Sequence, residues 1–358
     1  MSRLSRLQGL LAEAKVDCAV IVPGPNLYYL VGIEVGVSER ALFFFVPREG
    51  EPIVVCPELE SPKFREHGYA VHEYPDSGGP LAGLWRVGND LGLRNSCLGV
   101  EYLNMRLLEW DYLAKALGSF DLKDVIPLLS QLRMIKDEDE VAAIREAARI
   151  ADLGMAAASE AVRPGVTERQ VARTVEEQVR GNHGAVVGVA VASGPRAAVP
   201  HAGTSDRVIQ AGDVVWVDLV LKFRAYVADI TRTFAAGELD GDMVRAWRTV
   251  ERAAAAAREA CRPGVSLEDI DATARGIIEE EGFGPNFTHR TGHGIGLEVH
   301  EAPYVVAGNR QLLRAGMTFT VEPGIYIPGL GGVRIEDDLL ITEEGVEVLT
   351  SFERGSGI

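Results

Sequence analysis

Four acids and two histidines in the C-terminal two thirds of the chain recur at matched spacing, with a third histidine between them. Asp218 lies in AGDVVWVDLV and Glu322 in AGMTFTVEPG, 104 positions apart behind the same Ala-Gly opening. A second acid follows each: Asp229 in YVADITRTF and Glu336 in GVRIEDDLL. His201 in AVPHAGTSD and His300 in LEVHEAP are 99 apart. His293 stands in RTGHGIGLEVHEAP, framed by Gly292, Gly294 and Gly296. Such a glycine cluster marks backbone that must bend or approach something closely.

The spacing suggests a chemistry. DVVWVDLVLKFRAYVADITRTF reads as two strands joined near Phe223–Arg224. Asp218 and Asp229 are equidistant from that centre, so they are expected opposite each other on one face. Opposed like charges destabilise a sheet unless a cation neutralises them. A lone strand acid would instead point to water on an edge strand; repetition of the pair in both copies favours the cation. Glu322 and Glu336 repeat the arrangement across a longer connection, PGIYIPGLGGV. Arg334 shares the strand face of Glu336, to orient a carboxylate, bind a substrate anion, or form an ordinary surface ion pair. His293 would complete the donor set. Four carboxylates balance two divalent ions, a mixed O/N set suited to a two-metal hydrolase rather than a cysteine-based structural zinc site. The His293–His300 spacing is not the helical HExxH pattern. His201 and His300 are read as groups that support the ligands or stabilise a transition state. His67, His72, His183 and His289 are read as satisfied structural histidines.

The elements that must position these residues are themselves repeated. EAVRPGVT at 160–167 returns as EACRPGVS at 259–266. Each copy follows an alanine-rich helix, turns at Pro-Gly, and starts a second helix capped by Thr or Ser. The first of these helices is expected over 137–162, behind an acid-rich first turn and a linker from about Leu128. Two similar αβ halves around a pseudo-two-fold axis are the expected architecture. The first third alternates strand-like runs (CAVIV, ALFFFV, PIVVC, AVHEY, CLGVE, LKDVI) with helices expected at 3–15, 80–90 and 104–117, an α/β layer pattern.

At 358 residues two domains are expected. A net charge of −16 excludes a nucleic-acid binder that works through a basic patch. No apolar run is long enough to span a bilayer, and the N-terminus reads as an amphipathic helix rather than a signal peptide. Cys18, Cys56, Cys97 and Cys261 lack metal or disulfide spacing and are read as free thiols in a reducing cytoplasm.

Taken in order, PHAGTSD, VDLV…ADITRTF, TGHGIGLEVHE, VEPGIY and VRIEDD resemble the pita-bread metallopeptidases, and most closely the Xaa-Pro dipeptidases (prolidases) and Xaa-Pro aminopeptidases. The resemblance implies an α+β pita-bread catalytic domain at 129–358, preceded by a smaller α/β creatinase-type domain at 1–128. It implies Asp218, Asp229, His293, Glu322 and Glu336 as ligands of two divalent ions, manganese by preference, with cobalt or zinc as alternatives. Asp229 and Glu336 would bridge the ions. His201 and His300 would bind substrate and steady the tetrahedral intermediate, and Glu322 would carry the proton. The expected substrates are small peptides with proline second. A dipeptidase needs a cation for the free carboxylate, from Arg334 or Arg310. The alternatives are an aminopeptidase acting on longer peptides, or a non-catalytic peptide- or protein-binding module. A homodimer, with one subunit's N-terminal domain beside the other's site, is also implied.

Overall fold

The computed structural model describes residues 1–354, with one compact unit spanning Met1–Arg133 and a second beginning at Met134. In the first unit the strand-like runs become strands: β1 (Cys18–Ile21), β2 (Phe43–Pro47), β3 (Ile53–Pro57), β4 (Ala70–Tyr74), β5 (Cys97–Val100) and β6 (Asp121–Asp124). They form one mixed sheet in the order β4-β3-β2-β1-β5-β6. Every residue of β1 and β2 is buried, as in strands covered on both faces. The covering helices are α1 (Arg3–Glu13), α2 (Pro25–Val31), α3 (Ser61–Glu66), α4 (Leu81–Asp90), α5 (Leu107–Leu117) and α6 (Ile126–Arg133). Helix α6 replaces the start of the expected linker, because Leu129 and Leu132 bury an apolar stripe.

In the second unit, α7 (Glu138–Ala161) is opened by a capping box between Asp137 and Glu140. α8 (Glu168–Gly181), β7 (Ala185–Ser193), β8 (Asp213–Phe223) and β9 (Tyr226–Ala236) complete one half. The other half comprises α9 (Gly241–Ala260), α10 (Leu267–Glu280), β10 (Gly292–Gly294), β11 (Glu301–Val305), β12 (Thr318–Val321), β13 (Gly324–Ile327), β14 (Gly331–Arg334), β15 (Asp337–Ile341) and β16 (Val346–Val348). The repeated turns match closely: Gly165 and Gly264 have φ of +88° and +86°, and Thr167 and Ser266 accept from the backbone N–H groups of Gln170 and Asp269. The alanines explain the packing. Ala147, Ala148, Ala151 and Ala158 lay α7 on β8 and β9, while Ala253, Ala254 and Ala257 lay α9 on the strands of the second half. Small side chains let helix and sheet approach closely, and the two apolar clusters lie outside the sheets.

The sheets run β7-β8-β9, β11-β10-β12-β15-β16 and β13-β14. Glu336 N–H donates to the Thr231 carbonyl at 3.1 Å, which splices the second half onto β9. Among the described residues no helix is long and apolar enough to cross a membrane.

Candidate metal centre

The β8–β9 hairpin turns on Arg224 and Ala225, both left-handed with φ of 47° and 71°. Phe223 therefore pairs with Tyr226, Asp218 with Thr231, and Val220 with Asp229. This corrects the expected register, which placed the centre at Phe223–Arg224. The two acids are diagonal neighbours rather than opposed, and they still share a face because Asp229 and Thr231 are two residues apart.

The second pair comes from broken strands. Glu322 follows β12, Glu336 precedes β15, and β13–β14 fills the gap between them. Thr231 Oγ1 donates to Glu336 Oε2 at 2.6 Å, so the residue facing Asp218 fixes an acid of the other half. His293 enters on β10. Its backbone N–H donates to Thr320 Oγ1 at 3.1 Å. Nδ1 lies 3.2 Å from the Gly294 carbonyl, which makes it the donor and leaves the Nε2 lone pair facing the acids. Nε2 is 3.3 Å from Glu322 Oε1 and 3.8 Å from Asp229 Oδ2.

The glycine frame has a steric cause. A Cβ on Gly292 would lie 1.9 Å from the Thr320 carbonyl oxygen, and one on Gly294 would lie 2.4 Å from that of Ala302. Any side chain there would push β10 off its neighbours and carry His293 away.

Asp218, Asp229, His293, Glu322, Glu336 and Arg334 line one cavity of about 560 Å³, together with His201, His289, Arg290 and His300. Ligand-type atoms of Asp229, His293 and Glu336 all lie within 4.8 Å of one another. Burial, and then the neighbouring carboxylates, raise Asp229 and Glu336 well above the usual carboxylate range. Burial pushes Glu322 up to about 7 and His293 down to about 3, so its imidazole is neutral. Asp229 Oδ1 is buried without a hydrogen-bond partner. An orphaned carboxylate oxygen, a neutral imidazole aimed inward and acids held short of their charge are what a divalent cation would satisfy. The residues fit such ions.

Arg334 is 3% exposed. It donates from Nη2 to Asp218 Oδ2 at 2.6 Å, from Nε to Thr231 Oγ1 at 3.1 Å, and from Nη1 to the Pro200 carbonyl and the Tyr326 hydroxyl at 3.1 and 2.9 Å. With four of its five N–H groups engaged it orients Asp218, and of its expected roles the substrate-anion one is not what its contacts serve. Arg310 is not brought to the cavity: its side chain is 87% exposed and pairs with Glu268. His201 and His300 lie on the exposed side. The ring centroid of His300 is 4.3 Å from that of His293 in an edge-to-face contact.

Three cavity or support residues escaped the sequence reading. His289 is satisfied as expected, with Nδ1 on the Arg290 carbonyl and Nε2 on the Tyr326 hydroxyl, yet it also lines the cavity. Arg290 opens the stretch RTGHGIGLEVHEAP, but nothing in its spacing assigns it a role. Glu168, fully buried at the start of α8, accepts hydrogen bonds from the backbone N–H and hydroxyl of both Ser193 and Ser205, at 2.6–2.9 Å. One carboxylate thus clasps both ends of the loop that carries His201. Glu168→Ala is expected to lower kcat/KM about tenfold or more by displacing that loop, with bound metal unchanged. Metal analysis beside steady-state kinetics checks this; parallel loss of metal and activity would mean that Glu168 supports the centre rather than the loop.

Residues 142–343 match metallopeptidase family M24, and residues 3–135 match the creatinase/prolidase N-terminal domain. The chain belongs to metallopeptidase family M24. It is 40% identical to "Probable dipeptidase PepE" of Mycobacterium tuberculosis, across 96% of this chain and 92% of that one. Its structure is similar to the prolidase of Thermococcus sibiricus, with a TM-score of 0.93 and 34% identity across 99% and 97% of the two chains. It is also similar to an X-Pro aminopeptidase from Thermotoga maritima, with a TM-score of 0.85 and 31% identity across 99% of each. Two-domain architecture, α+β pita-bread catalytic fold and peptidase class agree with the sequence expectations.

Proposed function

We propose that the chain is an Xaa-Pro dipeptidase using two divalent ions, manganese by preference, which Asp218, Asp229, His293, Glu322 and Glu336 would hold. The observation that carries this reading is the convergence of carboxylate and imidazole atoms of Asp229, His293 and Glu336 within 4.8 Å in a cavity of about 560 Å³. The names of the Mycobacterium tuberculosis and Thermococcus sibiricus proteins support it, and that of the Thermotoga maritima protein favours the aminopeptidase alternative.

When bound, such ions supply Lewis acidity and lower the pKa of water toward neutrality. Glu322, which lines the cavity beside His293, is placed to carry a proton at its carboxylate from the attacking water to the leaving prolyl nitrogen. That nitrogen is a tertiary amide in the substrate and leaves only when protonated. His201 and His300, at the exposed side of the cavity, donate hydrogen bonds to the substrate carbonyl oxygen as it gains charge. Arg334 keeps Asp218 in place. Because the ring nitrogen offers no N–H, recognition of proline falls to packing and to the substrate's terminal groups.

The reading extends to a homodimer, for which exposed Tyr102, Leu103 and Leu107 offer apolar material in the first unit, and to a reducing compartment, supported by four free cysteines.

The deciding experiment is turnover of Xaa-Pro, Xaa-Pro-Yaa and Xaa-Ala peptides with Mn²⁺ and with chelator. Metal-dependent cleavage of Xaa-Pro above the others is expected. Preference for Xaa-Pro-Yaa would make the enzyme an aminopeptidase, and undiminished turnover under chelation would remove the metal assignment.

A further inference from the structure

We propose that Arg290 recognises the free carboxylate of the dipeptide and thereby sets the length of peptide accepted. The inference rests on the dipeptidase reading above. A dipeptide differs from a longer peptide in carrying a negative charge just after the prolyl ring. The cavity is lined by four carboxyl groups, so that charge needs a cation with uncommitted donors.

The lining holds two arginines and no lysine. Arg334 is bonded to Asp218, Thr231, Pro200 and Tyr326, and Arg310 lies elsewhere, paired with Glu268. Arg290 remains. It is partly exposed and makes neither an ion pair nor a hydrogen bond from its side chain to any described residue. Its contact is with a ring: the guanidinium carbon lies 4.5 Å from the centroid of Tyr304. Stacking fixes the plane of an arginine and leaves its N–H edge free for a two-pronged carboxylate contact.

The platform is itself fixed relative to the metal centre. Tyr304 pairs with His293 across the β10–β11 ladder, and its side chain shares that face. Thr291 N–H donates to the Val305 carbonyl, tying the segment after Arg290 to the strand that bears Tyr304. Cation, ring and imidazole therefore keep a set spacing. A substrate whose carboxylate reaches Arg290 has its scissile bond at a defined place relative to His293, and a peptide extended beyond proline presents no charge there.

The test compares Ala-Pro with its C-terminal amide in the Mn²⁺-loaded enzyme and in Arg290→Gln and Arg290→Lys. Arg290→Gln is expected to lower kcat/KM for Ala-Pro about 10- to 100-fold, chiefly through KM, and that for the amide by less than about threefold. Arg290→Lys should recover part of the preference for the acid. A second readout needs no turnover: calorimetric binding of a reduced-bond analogue of Ala-Pro, as free acid and as amide. The wild type should favour the acid, and Arg290→Gln should bind the two about equally. Equal losses on acid and amide, or an unchanged preference, would overturn the proposal. A wild type that cleaves no dipeptide would defeat the dipeptidase reading, while the ratio of analogue affinities would still decide the role of Arg290.

Discussion

Asp229→Asn is expected to reduce kcat/KM at least about a thousandfold with saturating Mn²⁺, to lower bound metal, and to leave the metal-free fold at least as stable as before. The substitution keeps the shape and removes the charge. Asp229 is anchored by backbone rather than by its carboxylate: its N–H donates to Asp338 Oδ2 at 3.0 Å, and Val220 faces it across the hairpin. One carboxylate oxygen has no partner, and the charged form is penalised by burial and then by Glu336 and Asp218. In the metal-free protein that carboxylate does nothing for stability, so its chief purpose is a cation. An amide offers one weak acceptor and cannot be shared between two ions. Metal analysis, kinetics and thermal melting of the chelated variant check the three parts together. Turnover like that of the wild type would sink the ligand assignment. A large drop in the melting temperature of the chelated variant would mean that Asp229 serves the fold.

Asp218 and Asp229 were legible in the sequence because each lies on a strand, where alternation alone decides which residues share a face. Asp218 and Asp229 could be placed together even from a turn centre displaced by one residue: the error moved their pairing by two positions and so preserved the face. The turn itself was not legible. Arg224 and Ala225 adopt left-handed conformations without the Asn or Gly that usually announces them. Glu322 and Glu336 are separated by a whole extra strand pair, and only the internal repeat made them a pair. Arg290 and Glu168 stayed hidden because their roles depend on a strand and a loop returning from elsewhere. Arg310 misled for the opposite reason: a cation close to the site in sequence points away from it in space. In the first unit the central strands showed as apolar runs. The helices α2, α3 and α6 did not, being six to eight residues long. Each carries a proline, Pro25, Pro62 or Pro127, in its first two positions, where it starts a helix yet reads locally as a break.

The metal-free enzyme is expected to lose stability as pH rises from about 5 to 8, and the metal-loaded enzyme to gain it. Glu322 has an ordinary value of 4.5 and is raised to about 7 by burial in the folded, metal-free chain. Between those values the unfolded chain releases a proton that the folded chain retains. The stabilisation is therefore fully present below about 4.5 and is lost as pH climbs through 7, on the order of 3 kcal/mol for this group alone. Asp229 and Glu336 are raised in the same direction and extend the loss upward in pH. His293 works the other way: lowered from 6.5 to about 3, it is neutral in the folded chain while the unfolded chain still binds its proton, so it offsets part of the loss below about pH 6.5 and the net fall is steepest above that. Cations reverse the sign. They bind the deprotonated carboxylates, so their affinity grows over the same interval in which the empty centre becomes a liability, and occupancy of the folded state alone raises stability by mass action. Melting curves at about pH 5, 6, 7 and 8, with chelator and with excess Mn²⁺, should diverge steadily, with the two traces nearly together at the acid end. A Mn²⁺ effect of constant size across that range would mean that binding releases no protons, and the buried carboxylates could not then be the ligands. A chelated protein whose melting temperature held level would show that Asp229, Glu322 and Glu336 are not held off their charge by burial and by one another, because such a charge must appear in the pH dependence of the fold that contains it.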